Sequence, residues 1–458
     1  MSEIKKLPRI MICAASSGCG KTIATMALCS LLVRKNYNVK PYKCGPDYID
    51  AMYHSRITGN SAGNLDLYFS SRKELVSLLC SSAKNADIAV IEGVMGFYDG
   101  IGNTSQASSY EISEATQTPV ILAVNPKGMA RSVNALVEGF VSLEPDNRIA
   151  GVVFNGIKSG MYSFYKNMIE KETGIKVFGY IPYIRDIELE SRHLGLRTAA
   201  EINDFDKKIS ILAETAAETL DIEEIIRTAE NAADLSYNEP DIPHGEKFTL
   251  AVAKDKAFCF YYSENLELFE KLGADIQYFS PLDDEKIPDN ADGLYLGGGY
   301  PEIYAEKLSS NKNMIESLRN NIGKGMPVIA ECGGFMYLLD ETEDKNGRSF
   351  KTAGIIKGKA FMTDKLCRFG YVDIIADKNS FIAEKGSVIK GHEFHYSDST
   401  SNGNGFIIRR PNGKQWSGIN VSDNIIAGYP HMYFYSNISF AEAFAEKCRN
   451  YSGKKFCL

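Results

Sequence analysis

Eight residues near the start of the chain, Ala15-Ser-Ser-Gly-Cys-Gly-Lys-Thr22, have the composition of a phosphate-binding loop. In such a loop the backbone N–H groups and the N-terminus of the following helix bind phosphate oxygens. Lys21 is then placed to reach the β- and γ-phosphates of a nucleoside triphosphate, and Thr22 is placed to ligate Mg²⁺. The chemistry that these residues predict is the binding of ATP with a magnesium ion.

The segments on either side of this loop favour the same interpretation. An apolar run, Ile10–Ala14, precedes it and a helix-like run, Ile23–Val33, follows it, which is the strand and helix context that a phosphate-binding loop needs. Ala15 stands where the usual pattern has glycine, so we expect the loop to turn at Gly18 and Gly20. The alternative is a chance Gly-Lys-Thr at the end of an unrelated strand.

Carboxylates follow the next two predicted strands. Asp47 comes after the second strand, and Glu92 ends the third. Mg²⁺ takes one or two carboxylates together with phosphate oxygens, so these two acids are candidate partners of Thr22 around one ion. Asp50 and Asp99 are candidates for contacts to metal or substrate, with a helix cap or a turn as the alternative for each.

Two further polar residues of the first half follow strands. Lys43 is a candidate for neutralising phosphate charge in a transition state, with a solvated lysine as the alternative. Asn155 is a candidate for reading a base edge of the nucleotide with its amide, with a turn asparagine as the alternative. Both residues stand at carboxyl ends of predicted strands, where doubly wound sheets bind their ligands.

A cysteine in the second half has the surroundings of a nucleophile. Cys332 lies between an apolar strand, Val328–Ala330, and a helix-like run, and two glycines follow it. A sharp strand-to-helix turn of this kind exposes the side chain, and the helix N-terminus favours the thiolate. An upstream glycine turn contains Gly298 and Gly299, whose backbone N–H groups are candidates for stabilising an oxyanion.

A thiol nucleophile needs a base, and the chain has six histidines. His431 is the candidate, because the members of a Cys/His pair meet in space rather than in sequence. His392 and His395 are the alternatives, and a strand would place these two on opposite faces. We expect a local role for the other three histidines, which are His54, His193 and His244.

Two α/β domains must position these residues. In the first half, apolar runs alternate with helical patterns, which predicts a doubly wound parallel sheet. The predicted strands of that sheet are Ile10–Ala14, Asn38–Tyr42, Asp87–Glu92, Val120–Asn125, Ile149–Asn155 and Val177–Ile181. A polar segment with two prolines predicts a linker at 231–246, between a first domain at 1–230 and a second at 247–458. The second α/β series begins at Phe248 and becomes more β-like from about Tyr371.

The composition restricts the function classes. At 458 residues, 44% hydrophobic and 24% charged, the chain is expected to form a soluble protein of two domains. A formal net charge of −7 without a Lys/Arg block argues against nucleic acid or a membrane surface as the partner. No apolar run approaches the roughly 18–20 residues that span a bilayer. Ten cysteines without zinc-site spacing, and no secretory signal, predict a cytoplasmic location.

Six motifs in order resemble those of the cobyrinic acid a,c-diamide synthases, and the resemblance covers essentially the whole chain. They are the phosphate loop, Lys-x-Gly-Pro-Asp-Tyr-Ile-Asp from residue 43, Glu-Gly-Val-Met-Gly-x-x-Asp-Gly from 92, Leu-Gly-Gly-Gly-Tyr-Pro-Glu from 296, Ala-Glu-Cys-Gly-Gly from 330 and Gly-His-Glu-Phe-His-Tyr-Ser from 391. The first half resembles the dethiobiotin synthetase-like P-loop fold. The second half resembles a class I glutamine amidotransferase domain of the triad type.

This resemblance implies a ligase that amidates the a and c acetate side chains of cobyrinic acid in cobalamin biosynthesis. Glutamine would be hydrolysed at Cys332 through a glutamyl thioester, with His431 raising the nucleophilicity of the thiol. ATP and Mg²⁺ would convert the acetate to an acyl phosphate in the first domain, and ammonia would displace the phosphate. The implied partners are small molecules, namely the corrin, ATP and L-glutamine, and the sequence leaves a homodimer open.

Two places depart from the family pattern. Ala14 and Ala15 replace a glycine-containing opening of the phosphate loop. Triad amidotransferases carry glutamate two residues after the histidine, and here Tyr433 occupies that place. We therefore expect a Cys/His dyad, with any orienting third group supplied from elsewhere in the chain.

Several alternatives stay open at the level of the sequence. Related diamide synthases act on nickel sirohydrochlorin or on metal-free hydrogenobyrinic acid, and cobyric acid synthase amidates other positions. A corrin with many carboxylates should meet basic residues such as Lys127, Arg131 and Arg192. From another class, a non-catalytic ATP switch of the partitioning type is the rival, although such switches typically carry lysine where this chain has Ser16.

Overall fold

A computed structural model describes residues 3–184, 187, 191–192, 195–196 and 198–455. The chain divides into two compact units, Met1–Pro240 and Asp241–Leu458. The division falls inside the segment 231–246 that the sequence predicts as a linker. A strand at Leu235–Tyr237, within the same segment, pairs with Glu3–Lys5 and so belongs to the first unit. None of the helices in the described ranges combines the length and the apolar character that a bilayer crossing requires.

The elements of the first unit alternate along most of its length. Its strands are β1 Glu3–Lys5, β2 Arg9–Ala14, β3 Val39–Cys44, β4 Gly63–Leu65, β5 Ile88–Glu92, β6 Val120–Val124, β7 Ile149–Asn155, β8 Lys176–Ile181, β9 Ser191–Arg192, β10 Gly195–Leu196 and β11 Leu235–Tyr237. Its α-helices are α1 Lys21–Arg34, α2 Ile49–Thr58, α3 Arg72–Ser82, α4 Ser109–Ala115, α5 Ser132–Leu143, α6 Ser159–Thr173, α7 Phe205–Thr219 and α8 Ile222–Glu230.

Seven of these strands form one parallel sheet in the order β4-β3-β5-β2-β6-β7-β8. The predicted doubly wound sheet is confirmed, and the short edge strand β4 has no counterpart among the predicted strands. Every residue of β5 and β6 is buried, as expected for strands covered by helices on both faces. Because the strands are parallel, the loops that follow β2, β3, β5 and β7 all leave the same edge of the sheet.

The second unit combines a parallel sheet with antiparallel sheets. Its strands are β12 Phe248–Ala253, β13 Phe258–Phe260, β14 Ala274–Phe279, β15 Gly293–Leu296, β16 Gly298–Gly299, β17 Val328–Glu331, β18 Leu339–Glu343, β19 Ser349–Lys351, β20 Ile356–Met362, β21 Arg368–Ala376, β22 Val388–His395, β23 Ser397–Ser399, β24 Phe406–Arg409, β25 Gln415–Gly418, β26 Asn420–Val421, β27 Ile425–Gly428 and β28 His431–Met432. Its α-helices are α9 Ser263–Lys271, α10 Ala305–Ser310, α11 Lys312–Gly323, α12 Gly333–Leu338 and α13 Ile438–Lys455.

The central sheet of the second unit has the order β14-β12-β15-β17-β27-β26 and is parallel except at β26. Its strand β17 lies between β15 and β27, and Val328–Glu331 is buried throughout. A separate antiparallel sheet has the order β25-β24-β21-β22-β28. In that sheet His392 of β22 pairs in register with His431 of β28. The predicted α/β series followed by a β-rich region is therefore confirmed.

Candidate active sites

The phosphate-binding loop turns at the two glycines that the sequence predicts. Gly18 and Gly20 have φ of +79° and +92°, a region that side chains with a Cβ rarely adopt. Lys21, the first residue of α1, folds back over the loop, where its Nζ donates to the carbonyl oxygens of Ser16 at 3.1 Å and of Met95 at 2.5 Å. Burial and the nearby charge of Lys43 lower the pKa of Lys21. A desolvated ammonium held against the loop is suited to phosphate.

Asn155 braces this loop from the end of β7. Its Nδ2 donates to the carbonyl of Cys19 at 3.2 Å. A Cβ placed on Gly20 would lie 1.8 Å from the same nitrogen, so the close approach of the amide also requires glycine at that position. The observed contact of Asn155 is thus with the loop itself, and contact with a nucleotide base stays a prediction.

Glu92, at the carboxyl end of β5, is the centre of a buried polar cluster. Its Oε1 accepts hydrogen bonds from Thr22 Oγ1 at 2.7 Å and from Lys43 Nζ at 2.9 Å. Its Oε2 accepts one from His54 Nε2 at 2.5 Å. Burial opposes ionisation, but Lys43 and His54 more than offset it, so that the pKa of Glu92 lies well below its usual range. The carboxylate is therefore ionised at neutral pH.

Lys43 joins Glu92 to a second buried acid. Its Nζ lies 2.8 Å from Asp50 Oδ2 and donates to the carbonyl of Gly93 at 2.9 Å. Burial lowers the pKa of Lys43, but the two carboxylates outweigh burial, and its pKa lies well above the usual value. Burial and the charge of Glu92 raise the pKa of Asp50. Lys43 is thus a fixed, charged group beside the phosphate loop and not a solvated lysine.

Asp47 and Asp99 have local hydrogen-bond partners. Asp47 Oδ1 accepts from the backbone N–H groups of Ile49 at 2.8 Å and of Asp50 at 3.3 Å, at the start of α2. Asp99 Oδ2 accepts from the N–H of Gly96 at 2.9 Å in the loop after β5. The cap and turn contacts that the sequence left as alternatives are therefore present, and metal or substrate contacts of these two acids stay predictions.

The donor set fits a magnesium ion that arrives with nucleotide. Within the described ranges, no group of three or more His, Cys, Asp and Glu side chains is arranged to hold a metal ion. Mg²⁺ does not need such a group, since it is usually bound through one or two carboxylates together with substrate phosphates. The Thr22 hydroxyl and the Glu92 carboxylate already lie within 2.7 Å of each other next to the phosphate loop.

His54 belongs to the Glu92 cluster, although sequence reasoning assigns it only a local role. It is fully buried on α2, four residues after Asp50. Residues four apart share one face of a helix, so the pair Asp50 and His54 was a readable signal that both face the phosphate loop. His244 contacts the carbonyl of Lys271 at 3.2 Å, which is a local contact as predicted. His193 lies outside the described residues.

Cys332 occupies a strained turn between β17 and α12. Its φ of +48° and ψ of −103° are uncommon for a residue with a side chain, and its N–H donates to the carbonyl of Gly428 at 2.7 Å. Close packing requires glycine next to it, because a Cβ on Gly333 would lie 2.8 Å from Pro301 and one on Gly334 would lie 2.1 Å from the carbonyl oxygen of Leu296. The predicted nucleophile elbow is present.

Burial opposes the effect that the sequence predicts for the helix N-terminus at Cys332. Burial raises the pKa of the Cys332 thiol, the charge of Glu302 raises it further, and the N–H of Gly333 at the start of α12 lowers it. The following helix is only six residues long, which limits its dipole, whereas the desolvation acts in full. At neutral pH the Cys332 side chain is therefore a thiol, and its role as a nucleophile stays a prediction.

His431, the predicted base, lies close to the same glycine turn as Cys332. A Cβ on Gly298 would lie 2.3 Å from His431 Cε1 and 3.4 Å from Cys332 Cβ, so the imidazole and the cysteine flank the same glycine. Burial, together with His392 and His395, lowers the pKa of His431 to about 3. The imidazole is neutral at pH 7, as a general base must be.

The second glycine of the predicted oxyanion turn also lies close to the elbow. The backbone nitrogen of Gly299 is 3.1 Å from where a Cβ on Gly333 would stand. Gly299 has φ of +155°, and a Cβ there would lie 2.1 Å from the carbonyl oxygen of Ala257. The turn therefore requires glycine for steric reasons, and its N–H donation to an oxyanion stays a prediction.

Glu331 is an acidic group beside His431 that sequence reasoning missed. Its Oε2 lies 4.0 Å from His431 Nδ1 and accepts from the hydroxyl of Tyr295 at 2.8 Å, while its Oε1 accepts from the N–H of Met432 at 2.9 Å. Burial raises the pKa of Glu331 to about 8. The signal in the sequence was a glutamate inside a buried strand, directly before Cys332. Tyr433, at the place of the usual triad glutamate, is buried.

His392 and His395, the alternative bases, have different surroundings. His392 lies opposite His431 across β22 and β28, and burial with the charge of His395 lowers its pKa to about 3. His395 Nδ1 lies 2.7 Å from the carbonyl of Ser397, and its ring stacks on Tyr429 with centroids 4.0 Å apart. The structure therefore puts both histidines around His431 and leaves His431 as the one against the elbow.

The ionisation of Glu331 predicts a pH dependence of stability. Its pKa is about 8 in the folded state against an ordinary 4.5, so the folded state holds the proton more tightly and stability falls as the pH rises between these values. Replacing Glu331 by glutamine should remove this loss, which is about 3 kcal/mol between pH 5 and pH 8. Urea denaturation at both pH values measures it, with the exposed Glu384→Gln as control. If the free energy of unfolding changed equally with pH in wild type and Glu331→Gln, the raised pKa of Glu331 would be contradicted.

Comparisons with known proteins give the family. Residues 10–196 match the CobQ/CobB/MinD/ParA nucleotide binding domain, and residues 249–438 match the CobB/CobQ-like glutamine amidotransferase domain. A cobyrinate a,c-diamide synthase of Caldanaerobacter subterraneus subsp. tengcongensis is 39% identical over 97% of this chain and 99% of its own length. The cobyrinate a,c-diamide synthase of Thermoplasma volcanium is 38% identical over 98% of this chain and 99% of its own length. The solved structure of PurLQS from Thermotoga maritima aligns with 45% of this chain and 99% of its own, at 18% identity and a TM-score of 0.32.

The two domain matches show a nucleotide-binding P-loop domain followed by a glutamine amidotransferase domain, which together make a glutamine-dependent amidating ligase. Because relatives 38–39% identical match it over nearly its full length, the chain belongs to the cobyrinate a,c-diamide synthase family.

Proposed function

We propose that this protein uses ATP and glutamine to amidate the a and c acetate side chains of cobyrinic acid, by way of an acyl phosphate. The observation that carries the proposal is that one chain holds two complete sets of reactive groups. One set is a phosphate loop with two buried lysines, Lys21 and Lys43, and the other is an elbow cysteine beside a neutral histidine, Cys332 and His431. A carboxylate oxygen is a poor leaving group, so amide formation needs both activation and a nitrogen nucleophile.

Ammonia would be released in the second unit. His431 takes the thiol proton as the Cys332 sulfur attacks the carboxamide carbon of glutamine, and the backbone N–H groups at Gly298 and Gly299 receive the oxyanion. The imidazolium gives the proton to the leaving nitrogen, and ammonia departs from a glutamyl thioester. Water then hydrolyses the thioester to glutamate. Glu331 lies 4.0 Å from His431 Nδ1 and, with a pKa of about 8, is largely protonated at neutral pH; the imidazolium that forms between these steps would favour its ionisation.

Activation of the acetate would take place in the first unit. A carboxylate oxygen of the substrate attacks the γ-phosphorus of ATP, ADP leaves, and ammonia then attacks the acyl carbon and expels phosphate. Lys21 and Lys43 supply fixed positive charge to the phosphoryl group being transferred. Thr22, Glu92 and Asp47 are the residues that would hold Mg²⁺, which supplies neutralisation of phosphate charge when it is bound.

The corrin is the proposed substrate because relatives of nearly the same length carry the name cobyrinate a,c-diamide synthase. Two basic residues suit its carboxylates: Lys127 and Arg131 are exposed in the loop after β6, at the same edge of the sheet as the phosphate loop. The side chain of Arg192 lies outside the described part of the chain. The cytoplasmic location and the homodimer stay predictions.

The rival from another class is a nucleotide-dependent switch without chemistry. Three features of the chain disfavour it: Ser16 in place of the lysine such switches carry, a strained Cys332, and a neutral His431 beside that cysteine. Backbone strain of this kind costs about 1–3 kcal/mol and is kept where it serves a function.

The first test compares nitrogen donors. We expect wild type with ATP and glutamine to add two amides to cobyrinic acid, seen by mass spectrometry. The Cys332→Ala variant should lose synthesis with glutamine and keep it with ammonium, because only the release of ammonia depends on the thiol. Absence of product with either donor in wild type would reject the corrin, and nickel sirohydrochlorin and hydrogenobyrinic acid are then the substrates to offer. Loss of synthesis with both glutamine and ammonium in the Cys332→Ala variant would contradict the separation of ammonia release from amide formation.

A second test removes the charge at the phosphate loop. The Lys21→Met variant should lose synthesis with glutamine and with ammonium alike, by about a hundredfold or more, because the lysine charge acts on the transferred phosphoryl group and not on the donor. Lys35→Met, at the other end of α1, is the control. The measurement is ADP release coupled to amide formation. An ammonium-dependent rate within a fewfold of wild type would show that Lys21 has no part in the transfer.

A further inference from the structure

The second unit contains a buried carboxylate that its own fold leaves without hydrogen bonds. Glu393, on β22, is fully buried, and within the described part of the chain neither of its side-chain oxygens has a hydrogen-bond partner. A buried carboxyl group without hydrogen-bond partners is costly, and natural structures rarely keep one unless it serves a ligand or a reaction. The mechanism proposed above makes no use of this group.

Open space lies across the sheet from Glu393. The residue in register with it on β21 is Gly370, and a Cβ built there would meet no heavy atom within 4 Å. The neighbouring register pair on the same face is Arg368 and His395. Glu393 is therefore flanked by a gap on one side and by a guanidinium and an imidazole on the other.

Neither of the two flanking groups, Arg368 and His395, donates a hydrogen bond to Glu393. Arg368 Nη1 lies 3.7 Å from Glu393 Oε1, an ion-pair distance that is too long for a hydrogen bond, and its guanidinium sits over the ring of Trp416 at 5.0 Å. His395 Nε2 is 3.9 Å from the same oxygen. His395 Nδ1 faces the carbonyl of Ser397 and so carries a proton, while Nε2 has no hydrogen-bond partner among the described residues.

This cluster lies beside the nucleophile. The N–H of Cys332 donates to the carbonyl of Gly428, and the next residue, Tyr429, stacks on His395. Glu393 is also one of the groups whose charge raises the pKa of the Cys332 thiol, after burial and Glu302. The unsatisfied acid is thus within electrostatic reach of the sulfur.

We propose that Glu393 and Arg368 bind the amino-acid end of glutamine, with the Glu393 carboxylate accepting hydrogen bonds from the α-ammonium and the Arg368 guanidinium pairing with the α-carboxylate. The proposal rests on the glutaminase role of Cys332 proposed above and names the groups that recognise its substrate. The two charges of an α-amino acid are carried on one carbon, and the acid and the guanidinium stand as neighbours in the same way. The ammonium supplies the donors that Glu393 lacks, and the side-chain amide of glutamine is left for Cys332.

The consequence is selection for a zwitterion. A simple carboxamide carries the reacting group but offers nothing to Glu393 and Arg368, so it leaves a buried carboxyl group without hydrogen bonds and should be rejected. Loss of a hydrogen bond between charged groups typically weakens binding by about tenfold to a hundredfold.

The test compares two reagents that alkylate Cys332. One is 6-diazo-5-oxo-L-norleucine, which has the α-ammonium and α-carboxylate of glutamine, and the other is iodoacetamide, which has neither. Labelling rates are measured by intact-protein mass spectrometry, with Cys332→Ala to identify the labelled residue. The variants are Glu393→Gln, the partly exposed Arg368→Gln, and the exposed Glu384→Gln as control.

We expect Glu393→Gln and Arg368→Gln each to slow labelling by the amino-acid reagent about tenfold to a hundredfold relative to iodoacetamide, and Glu384→Gln to leave this ratio unchanged. A ratio that stays at the wild-type value in both variants would overturn the proposal, since their effect would then be on the thiol or on the fold. Arg368→Gln keeps the test decisive if Glu393→Gln does not fold. Failure of the amino-acid reagent to label Cys332 in wild type would instead overturn the glutaminase role, a different outcome.

Discussion

The buried carboxylate of Glu92 is the interaction on which the first unit depends. It stands at the carboxyl end of β5 and accepts donors from three other elements: Thr22 of α1, Lys43 of β3 and His54 of α2. The fully buried Glu92 carboxylate is stable only because both of its oxygens accept hydrogen bonds. Removing Lys43 would leave its negative charge without a compensating cation. The same contacts fix the phosphate-loop helix relative to the strands beside it, so that folding and the arrangement of the phosphate site depend on the same ionised group.

In the second unit, the predicted catalytic pair is uncharged at rest, whereas the Glu92 cluster of the first unit holds paired charges. The predicted nucleophile and the predicted base are both neutral at rest, because burial raises the pKa of Cys332 and lowers that of His431. In the proposed mechanism this pair becomes charged only when the thiol proton moves to the imidazole. A neutral resting pair limits the reaction of the sulfur with stray electrophiles, and it makes hydrolysis depend on a substrate that is held in place. The proposed role of Glu393 fits this arrangement, since the substrate's ammonium would supply the hydrogen-bond donors that its carboxyl group lacks.

Much of this could be predicted from the sequence, because it rests on local patterns. The alternation of apolar runs with helical patterns predicted the parallel sheet. The positions of Gly18 and Gly20 predicted where the phosphate loop turns, and both have positive φ. What could not be predicted depends on contacts distant in sequence. Glu331 faces His431 only because β17 and β28 meet in space, and His54 reaches Glu92 only because α2 packs against α1 and β3. The effect of burial on the pKa of Cys332 could not be predicted for the same reason, since a helix start is visible in a sequence and the desolvation of a folded site is not.

The central claim is that ATP activates the acetate as an acyl phosphate, and the path of one oxygen tests it most directly. Cobyrinic acid with ¹⁸O in its side-chain carboxylates, incubated with ATP and ammonium, can be followed by ³¹P NMR of the released phosphate. The account predicts ADP as the nucleotide product and one ¹⁸O atom transferred to phosphate for each amide formed. Amide formation with unlabelled phosphate, or with AMP and ¹⁸O-labelled AMP phosphate as products, would contradict it.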